Sequence, residues 1–332
     1  MTEYKGVMVY GEVVGERLAS SVAEGLGIGG RLAEALGEGL AAVLVGSGIG
    51  GLAQGAIALG ARSVYIVDDP HLKDYRTDAY VAVLAKVVGQ ARPRIIIMGH
   101  TDVGRDLAPA LSFRLGTAVI TDGVGLAIDA ASRRLRVTKP VYGGNARAVF
   151  VTDTDPQVVT IRPKTVAPAV PDASRQGDII GVEAGLEASA LKTVVLGRVV
   201  EDWAGVKLED AAVVVSGGRG MGGAGGFQQL LELAGLLRGA VGASRPACDY
   251  GWVPDTLQVG LTGRVIAPDV YIAVGISGSS QHMSGCAGAR NIIAINKDPG
   301  ANIFRYTRFG VVGDWQRVLP AFTRKVRELL AA

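Results

Sequence analysis

The feature that most constrains this chain is a regular alternation of short apolar runs with longer helical segments. Up to about residue 120, the runs "GVMVYGEV", "AAVLVGSG", "SVYIVDD", "RIIIMGH" and "TAVITDG" are separated by segments such as "YRTDAYVAVLAKVVGQA". This alternation is typical of βαβ units on a parallel sheet. Between about residues 120 and 200, "RLRVTKPVYGG", "ARAVFVTD" and "QVVTIRPK" predict antiparallel strands that complete the first domain.

A second alternating series starts near residue 205. Its strand-like runs are "AAVVVSGG", "AVGAS", "TLQVGLTG", "DVYIAVGIS", "NIIAIN" and "FGVVGD". The preceding stretch, "TVAPAVPDASRQGDIIGV", is rich in proline and polar residues, which predicts a loop or the start of a linker. We therefore expect an α/β protein of two domains, residues 1–204 and 205–332. Each would be a mostly parallel sheet flanked by helices, the C-terminal one doubly wound.

The charge balance argues against nucleic acid as a partner. The 332 residues carry a net charge of +3 from 34 basic and 31 acidic side chains, and 5% are aromatic. Neither phosphate neutralisation nor base stacking is favoured by such a composition.

Cys248 and Cys286 are the only cysteines and lack the spacing of a zinc site or a disulfide framework, so no metal is expected.

Two segments bear on location. The N-terminal "MTEYKGVMVYGEV" lacks the ordered regions of a secretory leader, so a cytoplasmic location is expected. No charge occurs between Gly39 and Ala61, a length that could span a bilayer. This stretch divides into "AAVLV", the turn "GSGIGG" and the Ala-rich and Gly-rich "LAQGAIALGA", which predicts strand, turn and buried helix. No membrane insertion is expected.

The pattern G-x-G-x-x-G occurs four times, starting at Gly25, Gly46, Gly218 and Gly220. With 48 glycines, chance alone gives roughly one match, so the pattern does not identify a nucleotide site. The loop Gly46–Gly51 does follow a predicted strand, and Asp68 or Asp69 lies about 20 residues downstream. An alternative function is therefore a nicotinamide-dependent oxidoreductase that uses this loop.

Polar elements follow the predicted strands of the second domain. The carboxyl ends of parallel strands meet at one edge of a sheet, where loops and helix N-termini bind ligands. Each element alone could be a turn or a helix cap, and no Ser/His/Asp set or metal cluster is evident. Together they favour binding of an anionic, extended cofactor over bond cleavage, so no catalytic residue is assigned. The elements are Arg219, Ser244 with Arg245, Thr262, Ser277–His282, Asn296 and Asp314.

Several of these segments resemble one known family. "VVVSGGRGM", "AVGASRPACDYGWVP", "QVGLTGRVIAPDVYIAVGISGSSQHMSG" and "IIAINKDPGANIF" look like the α subunit of electron-transferring flavoprotein. The resemblance implies a heterodimer with a β subunit and one FAD in the C-terminal domain. It also implies that the N-terminal domain, nucleotide-hydrolase-like in fold, packs against the partner without a cofactor.

The same resemblance implies an electron carrier, not an enzyme. It would shuttle electrons from dehydrogenases, such as those of fatty acid β-oxidation, to a quinone-linked or ferredoxin-linked acceptor. The β subunit would hold AMP, or a second FAD in complexes that oxidise NADH by electron bifurcation. A third interpretation, a scaffold whose partner holds the flavin alone, fits poorly with the dense polar edge of the second domain.

Matching motifs imply roles for individual residues. Arg219, Ser244, Asn296 and Asp314 would hold the ADP and pyrophosphate part of FAD, while Ser277, Gly278, Ser279, Ser280, Gln281 and His282 would wrap the cofactor. Arg245 would lie near the isoalloxazine, Thr262 would hydrogen-bond flavin N5, and His282 would approach O2. A guanidinium and an imidazole there would stabilise the negative charge that reduction places on the N1/C2=O side. The remaining expected contacts are Val259, Gly260, Leu261 and Trp315.

Leu261 departs from the family pattern, which usually has Gln at this position. A neutral polar contact is therefore lost, and the tuning of the flavin potential is expected to differ.

Overall fold

The computed structural model describes residues 3–144, 146–186, 191–197 and 206–331. The chain divides into two compact units. The first consists of Met1–Val141 and Ala146–Val199, and the second of Tyr142–Asn145 and Val200–Ala332. The boundary expected between residues 204 and 205 lies outside the described residues.

The first unit is built on a seven-stranded sheet that is parallel throughout, with strand order β12-β5-β4-β1-β6-β11-β7. A three-stranded antiparallel sheet (β10-β9-β8) and the hairpin β2-β3 accompany it. The strands are β1 (Val7–Gly11), β2 (Val13–Val14), β3 (Arg17–Leu18), β4 (Leu40–Gly46), β5 (Ser63–Asp68), β6 (Ile95–Gly99), β7 (Val119–Gly123), β8 (Gly125–Ile128), β9 (Leu135–Val141), β10 (Ala146–Phe150), β11 (Gln157–Ile161) and β12 (Asp178–Gly181). The α-helices are α1 (Ser20–Leu36), α2 (Ala53–Ala58), α3 (Thr77–Ala91) and α4 (Asp102–Leu115).

The central strands of this sheet are apolar because helices cover both faces. Every residue of β1, β6 and β11 is buried. Alternate side chains of each strand enter two separate cores: Val7 and Ile95 pack on one face, and Met8 and Ile96 on the other. A parallel sheet buried on two faces needs such continuous hydrophobic runs, which is why the sequence pattern identified these strands.

Two expectations for the first domain are wrong. The run "QVVTIRPK" forms β11, which is parallel and lies between β6 and β7 instead of joining the antiparallel strands. Its Val158, Val159 and Ile161 are almost fully buried, as a central position requires. The segment read as a loop ends in β12, which pairs in parallel with β5 at the edge of the sheet. The antiparallel pairing of β9 and β10 is confirmed.

The uncharged stretch from Gly39 to Ala61 is divided as the sequence predicts. It contains β4, a 3-10 turn at Gly50–Leu52 and the six-residue helix α2. Among the described residues, no helix has both the length and the apolar character needed to cross a membrane. Within the same residues, no three His, Cys, Asp or Glu side chains are grouped so that they could hold a metal ion.

The second unit contains a five-stranded sheet, parallel throughout, with strand order β14-β13-β15-β16-β17. Its core includes the fully buried Tyr271, Ile272, Ala273 and Val274 of the central strand. The strands are β13 (Val213–Gly217), β14 (Ala240–Ala243), β15 (Val270–Val274), β16 (Asn291–Asn296) and β17 (Phe309–Val312). The helices are α5 (Phe227–Leu236), α6 (Arg245–Asp249), α7 (Ser280–Cys286) and α8 (Trp315–Ala331).

One predicted strand of this unit is absent. The run "TLQVGLTG" forms a 3-10 turn at Asp255–Leu257, followed by single bridges from Gln258 to Ala243 and from Val259 to Arg264. The glycines on either side of Leu261 and Thr262 reverse the chain, so that the amide of Gly260 donates to the carbonyl of Arg264. The segment therefore lies beside the end of β14 as an irregular loop and presents Thr262 at a turn.

Candidate functional site

The strand order of the second unit reverses between two neighbouring strands, β13 and β15. After β13 the chain adds β14 on one side and then continues with β15, β16 and β17 on the other. The chain therefore leaves β13 toward one side of the sheet and leaves the neighbouring β15 toward the other side. In open α/β sheets this switch point is where ligands bind, beyond the carboxyl ends of the strands.

Glycines hold these two loops against each other. The amide of Gly218 donates to the carbonyl of Val274, and the amide of Gly220 donates to that of Gly275, both at 2.9 Å. A Cβ at Gly220 would stand 2.8 Å from the backbone of Gly275, which itself has a positive φ of 64°. The first glycines of "SGGRGMGGAGGF" thus pack one loop on the other. Gly222, Gly223 and Gly225, in contrast, have open space where a Cβ would stand.

Backbone hydrogen bonds tie the predicted site loops into one continuous edge. The amide of Ser244 donates to Gly217, the amide of Gly275 to Ile295 and the amide of Gly313 to Asn296, at 2.9 to 3.0 Å. The structure therefore brings the predicted residues after all five strands to the same edge of the sheet.

Asn296 and Asp314 are engaged within the protein. The side-chain amide of Asn296 donates to the carbonyl of Ile276, and its oxygen accepts from the amide of Asp298. The Asp314 carboxylate accepts from the amide of Gln316 at the start of α8. Both side chains therefore fix the loops at this edge of the sheet. Trp315 is half-buried, and its ring lies 3.0 Å from where a Cβ of Gly226 would stand.

A cleft with a volume of about 580 Å³ lies beside Asp314. It is lined by Gly313, Asp314, Arg317, Val318, Ala321 and Phe322. A cleft of the first unit, about 320 Å³, includes Lys5, Gly39 and Arg62, which lie at the amino ends of its strands. Parallel sheets bind ligands at the opposite edge, so this second cleft is not a comparable site.

The loop Ser277–His282 wraps the end of β15 and begins α7. Its turn depends on Gly278, whose φ is 77° and whose carbonyl accepts from the side chain of Asn302. The hydroxyl of Ser279 caps α7 by accepting from the amide of His282 at 3.4 Å. Ser277, Ser279 and Gln281 are exposed, whereas Ser280 is half-buried and His282 is buried.

His282 is the predicted site residue whose environment is most unusual. Its Nε2 lies 2.8 Å from the hydroxyl of Tyr271, a fully buried side chain of β15. Burial lowers the pKa of His282 to about 4, and the nearby backbone of Val259 opposes the shift. The imidazole is therefore neutral at pH 7 in the flavin-free chain. In this state the ring can offer a neutral N–H donor but carries no positive charge.

The two arginines predicted for the site, Arg219 and Arg245, are exposed to solvent. Arg219 is exposed on the loop after β13. Nε of Arg245 lies 3.4 Å from a carboxylate oxygen of Asp249, one turn along α6, and the side chains are 65% and 59% exposed. Both guanidinium groups can therefore meet an anionic ligand without first being released from a buried ion pair.

The turn around Thr262 is fixed by Gln258. The side-chain amide of Gln258 donates to the hydroxyl of Thr262 at 2.9 Å. Leu261 donates its amide to the carbonyl of Gln281, while its side chain is 57% exposed. Val259 is buried beside the end of β14. The turn is thus attached to the loop that carries His282, and its two-residue tip faces solvent.

Three buried polar atoms at this edge lack a partner with hydrogen-bond geometry among the described residues: Oγ of Ser216, Oγ of Ser244 and Nδ1 of His282. Leaving such atoms unpaired is costly, and each one in a native structure requires an explanation. Two of the three belong to residues that the sequence assigns to a cofactor. A ligand with acceptors and donors along its length fits this set.

The loop that the alternative function requires is occupied by the protein itself. The carboxylate of Asp68 accepts from the amides of Gly48, Ile49 and Gly50 at 2.7 to 3.2 Å. These amides are the donors that a dinucleotide pyrophosphate would need, and the negative carboxylate repels a second anion. A nicotinamide cofactor at Gly46–Gly51 is therefore disfavoured.

The fold and the edge of the second sheet define a class: a two-domain α/β protein with a cofactor-binding doubly wound domain. A family model described as electron transfer flavoprotein domain matches residues 7–186, and one described as electron transfer flavoprotein FAD-binding domain matches residues 207–287. The chain belongs to the electron transfer flavoprotein α subunit family. This confirms the resemblance seen in the motifs.

Relatives cover the chain almost completely. It is 39% identical to an electron transfer flavoprotein subunit alpha of Thermoanaerobacterium thermosaccharolyticum, over 99% of this chain and 100% of that one. The subunit alpha of Bacillus subtilis is 40% identical over 98% of each chain. A protein FixB of Clostridium saccharobutylicum is 36% identical over 100% of this chain and 99% of the relative.

Three residues that organise the site were missed by sequence reasoning. Tyr271 contacts His282, Gln258 holds Thr262 and Asn302 supports Gly278. The hydroxyl of Tyr271 within the apolar "DVYIAVGIS" was a usable signal, because a buried polar atom needs a partner. Gln258 and Asn302 stand in loops, where amide side chains are common and carry no comparable signal.

Proposed function

We propose that this chain is the α subunit of an electron transfer flavoprotein, holds one FAD in its second domain and functions with a β subunit. The support comes from two sources: the names of the relatives, and the polar edge at the switch point of the second sheet. The single observation that carries the site is a pair of buried atoms without a hydrogen-bond partner among the described residues, Oγ of Ser244 and Nδ1 of His282, in the segments that follow β14 and β15. A flavin nucleotide offers acceptors to both.

FAD, when bound, supplies the redox chemistry. Arg219 and Ser244 would hold its phosphates, because one provides an exposed guanidinium and the other an unpaired hydroxyl at the start of α6. Asn296 and Asp314 would act with Ser277–Gln281 mainly by shaping the loops around the nucleotide. Val259, Gly260 and Trp315 would supply backbone and packing contacts.

Three side chains would face the flavin ring. Arg245 would place its charge near the ring and stabilise electron density there. Thr262, held by Gln258, would present its hydroxyl to N5, since a hydroxyl both donates and accepts a hydrogen bond. His282 would donate from Nδ1 to the C2 carbonyl. Leu261 adds an apolar contact in place of the family's usual amide.

Electrons would pass from dehydrogenases, including those of fatty acid β-oxidation, through this flavin to a quinone-linked or ferredoxin-linked acceptor. The β subunit would carry AMP in a simple carrier, or a second FAD in a complex that bifurcates electrons from NADH. The first domain would pack against this subunit without binding a cofactor. The complex would operate in the cytoplasm, with peripheral contact to a membrane-bound redox partner.

The test is to purify the chain after co-expression with its β subunit, record the visible spectrum and identify the released nucleotide. We expect the two visible absorption bands of oxidised flavin, and FAD in the extract after denaturation. A complex that folds and assembles but is colourless, even after incubation with FAD, would refute the proposed function.

A further inference from the structure

In the hydrogen bond between Tyr271 and His282, the donor and the acceptor can be assigned. Tyr271 lies in the central strand β15 and its side chain has no exposed surface. Burial raises its pKa well above the ordinary value of a phenol, so the hydroxyl keeps its proton at every working pH. A buried hydroxyl proton requires an acceptor, and Nε2 of His282 lies 2.8 Å away.

Two arrangements of the shared proton are conceivable. If Nε2 carried the imidazole proton, it would donate to the tyrosine oxygen, and the tyrosine proton would have to go to the hydroxyl of Ser216 or the thiol of Cys286, the other side chains that interact with the phenol. If Nε2 accepts instead, both the tyrosine proton and the Nε2 lone pair are satisfied by one bond. Nδ1 has no partner with full hydrogen-bond geometry among the described residues, while the backbone of Val259 lies close enough to the imidazole to favour its protonated form. The second arrangement leaves the tyrosine oxygen free to accept from the hydroxyl of Ser216, which has no other partner among the described residues, and it is therefore favoured.

We propose that Tyr271 is a positioning residue, whose hydroxyl donates to Nε2 of His282 and thereby fixes the imidazole proton on Nδ1. The inference rests on the proposed function for its consequence, because Nδ1 is the atom that would meet a flavin carbonyl. A carbonyl oxygen accepts from an N–H and is repelled by a ring lone pair. The other tautomer would therefore oppose the same contact.

The tyrosine also polarises the ring. A donor on Nε2 withdraws electron density from the imidazole and strengthens Nδ1–H as a donor, while it occupies the site of a second proton. The neighbouring thiol does not oppose this effect. The thiol of Cys286, whose pKa burial raises to about 12, stays protonated and brings no charge to the pair. Tyr271 thus makes a neutral histidine behave as a fixed hydrogen-bond donor.

Nitrogen NMR of histidine tests this assignment directly. The chain has three histidines, so labelling it with 15N-histidine gives few signals, and the His282 signal is the one that His282→Gln removes. The full chain would be measured in complex with its β subunit, without and with FAD. We expect a protonated, pyrrole-type Nδ1 and a pyridine-type Nε2 in both forms of the wild type.

Tyr271→Phe should abolish this fixed pattern and give averaged shifts for the two nitrogens. Tyr80→Phe is the matched control, because it removes a buried hydroxyl that donates to Leu72 in the other unit, and it should leave His282 unchanged. With FAD bound, Tyr271→Phe should also lower the flavin midpoint potential relative to the Tyr80→Phe complex.

A wild-type His282 that carries its proton on Nε2 overturns the proposal, whatever FAD does. So does a Tyr271→Phe variant that keeps the wild-type shifts. If Tyr271→Phe does not fold, the position of the imidazole proton in wild-type His282 is by itself sufficient to test the proposal. If the proton is on Nδ1 but the complex does not bind FAD, the positioning role of Tyr271 is supported and the proposed function is refuted.

Discussion

Nε of Arg245 lies 3.4 Å from the carboxylate of Asp249, and both side chains are more than half exposed. An exposed ion pair of this kind is weak, about 0.2 to 1 kcal/mol, so Arg245 can exchange Asp249 for a flavin at little cost. The carboxylate of Asp249 nevertheless places a negative charge close to the flavin ring that Arg245 would contact. This relationship makes opposite predictions for the two residues.

Arg245→Ala should lower the midpoint potential of the bound flavin, because a positive charge near the reduced ring is lost. For about 1 kcal/mol of lost stabilisation we expect a fall of about 40 mV in a one-electron couple. Spectroelectrochemical titration of the complex measures it. Arg290→Ala, an exposed arginine just before β16 and thus at the opposite edge of the sheet, should change nothing. Equal changes in midpoint potential for the two variants would show that Arg245 does not lie near the flavin.

Asp249→Asn should raise the same potential by about 10 to 40 mV, because it removes a negative charge and leaves the shape of the side chain nearly unchanged. The effect should shrink in high salt, since the pair is exposed. A fall in potential, or a rise that salt does not change, would show that Asp249 does not act through Arg245.

Gly220→Ala should destabilise the second domain by about 1 to 3 kcal/mol, because its Cβ would stand 2.8 Å from the backbone of Gly275. Gly225→Ala is the control, as it adds a methyl group where no atom lies within 4 Å. Denaturant unfolding of the two variants at one protein concentration gives the comparison. Similar free energies of unfolding for both would mean that the two switch-point loops are not packed as described.

The stability of the flavin-free complex should depend on pH through His282. Its pKa in the folded chain is about 4, whereas an unfolded histidine has a pKa near 6.5. The unfolded chain therefore binds the extra proton between these values, so stability falls as pH decreases through that window. By pH 5 the loss is about 2 kcal/mol relative to pH 7.5.

His282→Gln should remove that part of the pH dependence, which denaturant unfolding at pH 7.5 and pH 5 would measure. The wild-type curve also contains the buried carboxyls Glu12 and Glu24, whose pKa values burial raises and which act in the opposite direction. The difference between the two proteins isolates His282. Parallel pH profiles would contradict its burial in a neutral form.

The parallel sheets could be predicted because helices on both faces force their strands to be continuously apolar, as in β6 and β15. The same pattern does not specify strand direction or neighbours. For this reason β11 was assigned to the antiparallel set, although long-range packing places it between β6 and β7. "TLQVGLTG" has strand composition, but its glycines reverse the chain before a ladder can form.

The positions of the polar residues at the edge of the second sheet followed from the strand ends alone. Their roles did not. The glycine pattern that starts at Gly220 did not identify a site, and in the structure Gly220 packs on Gly275, since glycines allow two loops to meet as readily as a loop and a ligand. The neutral state of His282 depends on burial beside Tyr271, which no sequence spacing reveals.

The most direct test of the account is calorimetric titration of FAD into the flavin-free complex of the wild type and of two charge reversals. Arg219→Glu places a negative charge on the loop after β13, and Arg290→Glu places one at the opposite edge of the same sheet. We predict that Arg219→Glu weakens FAD binding by at least about tenfold, or about 1.4 kcal/mol, and that Arg290→Glu binds as the wild type does. Equal affinities for the two variants would place the flavin elsewhere and contradict the account.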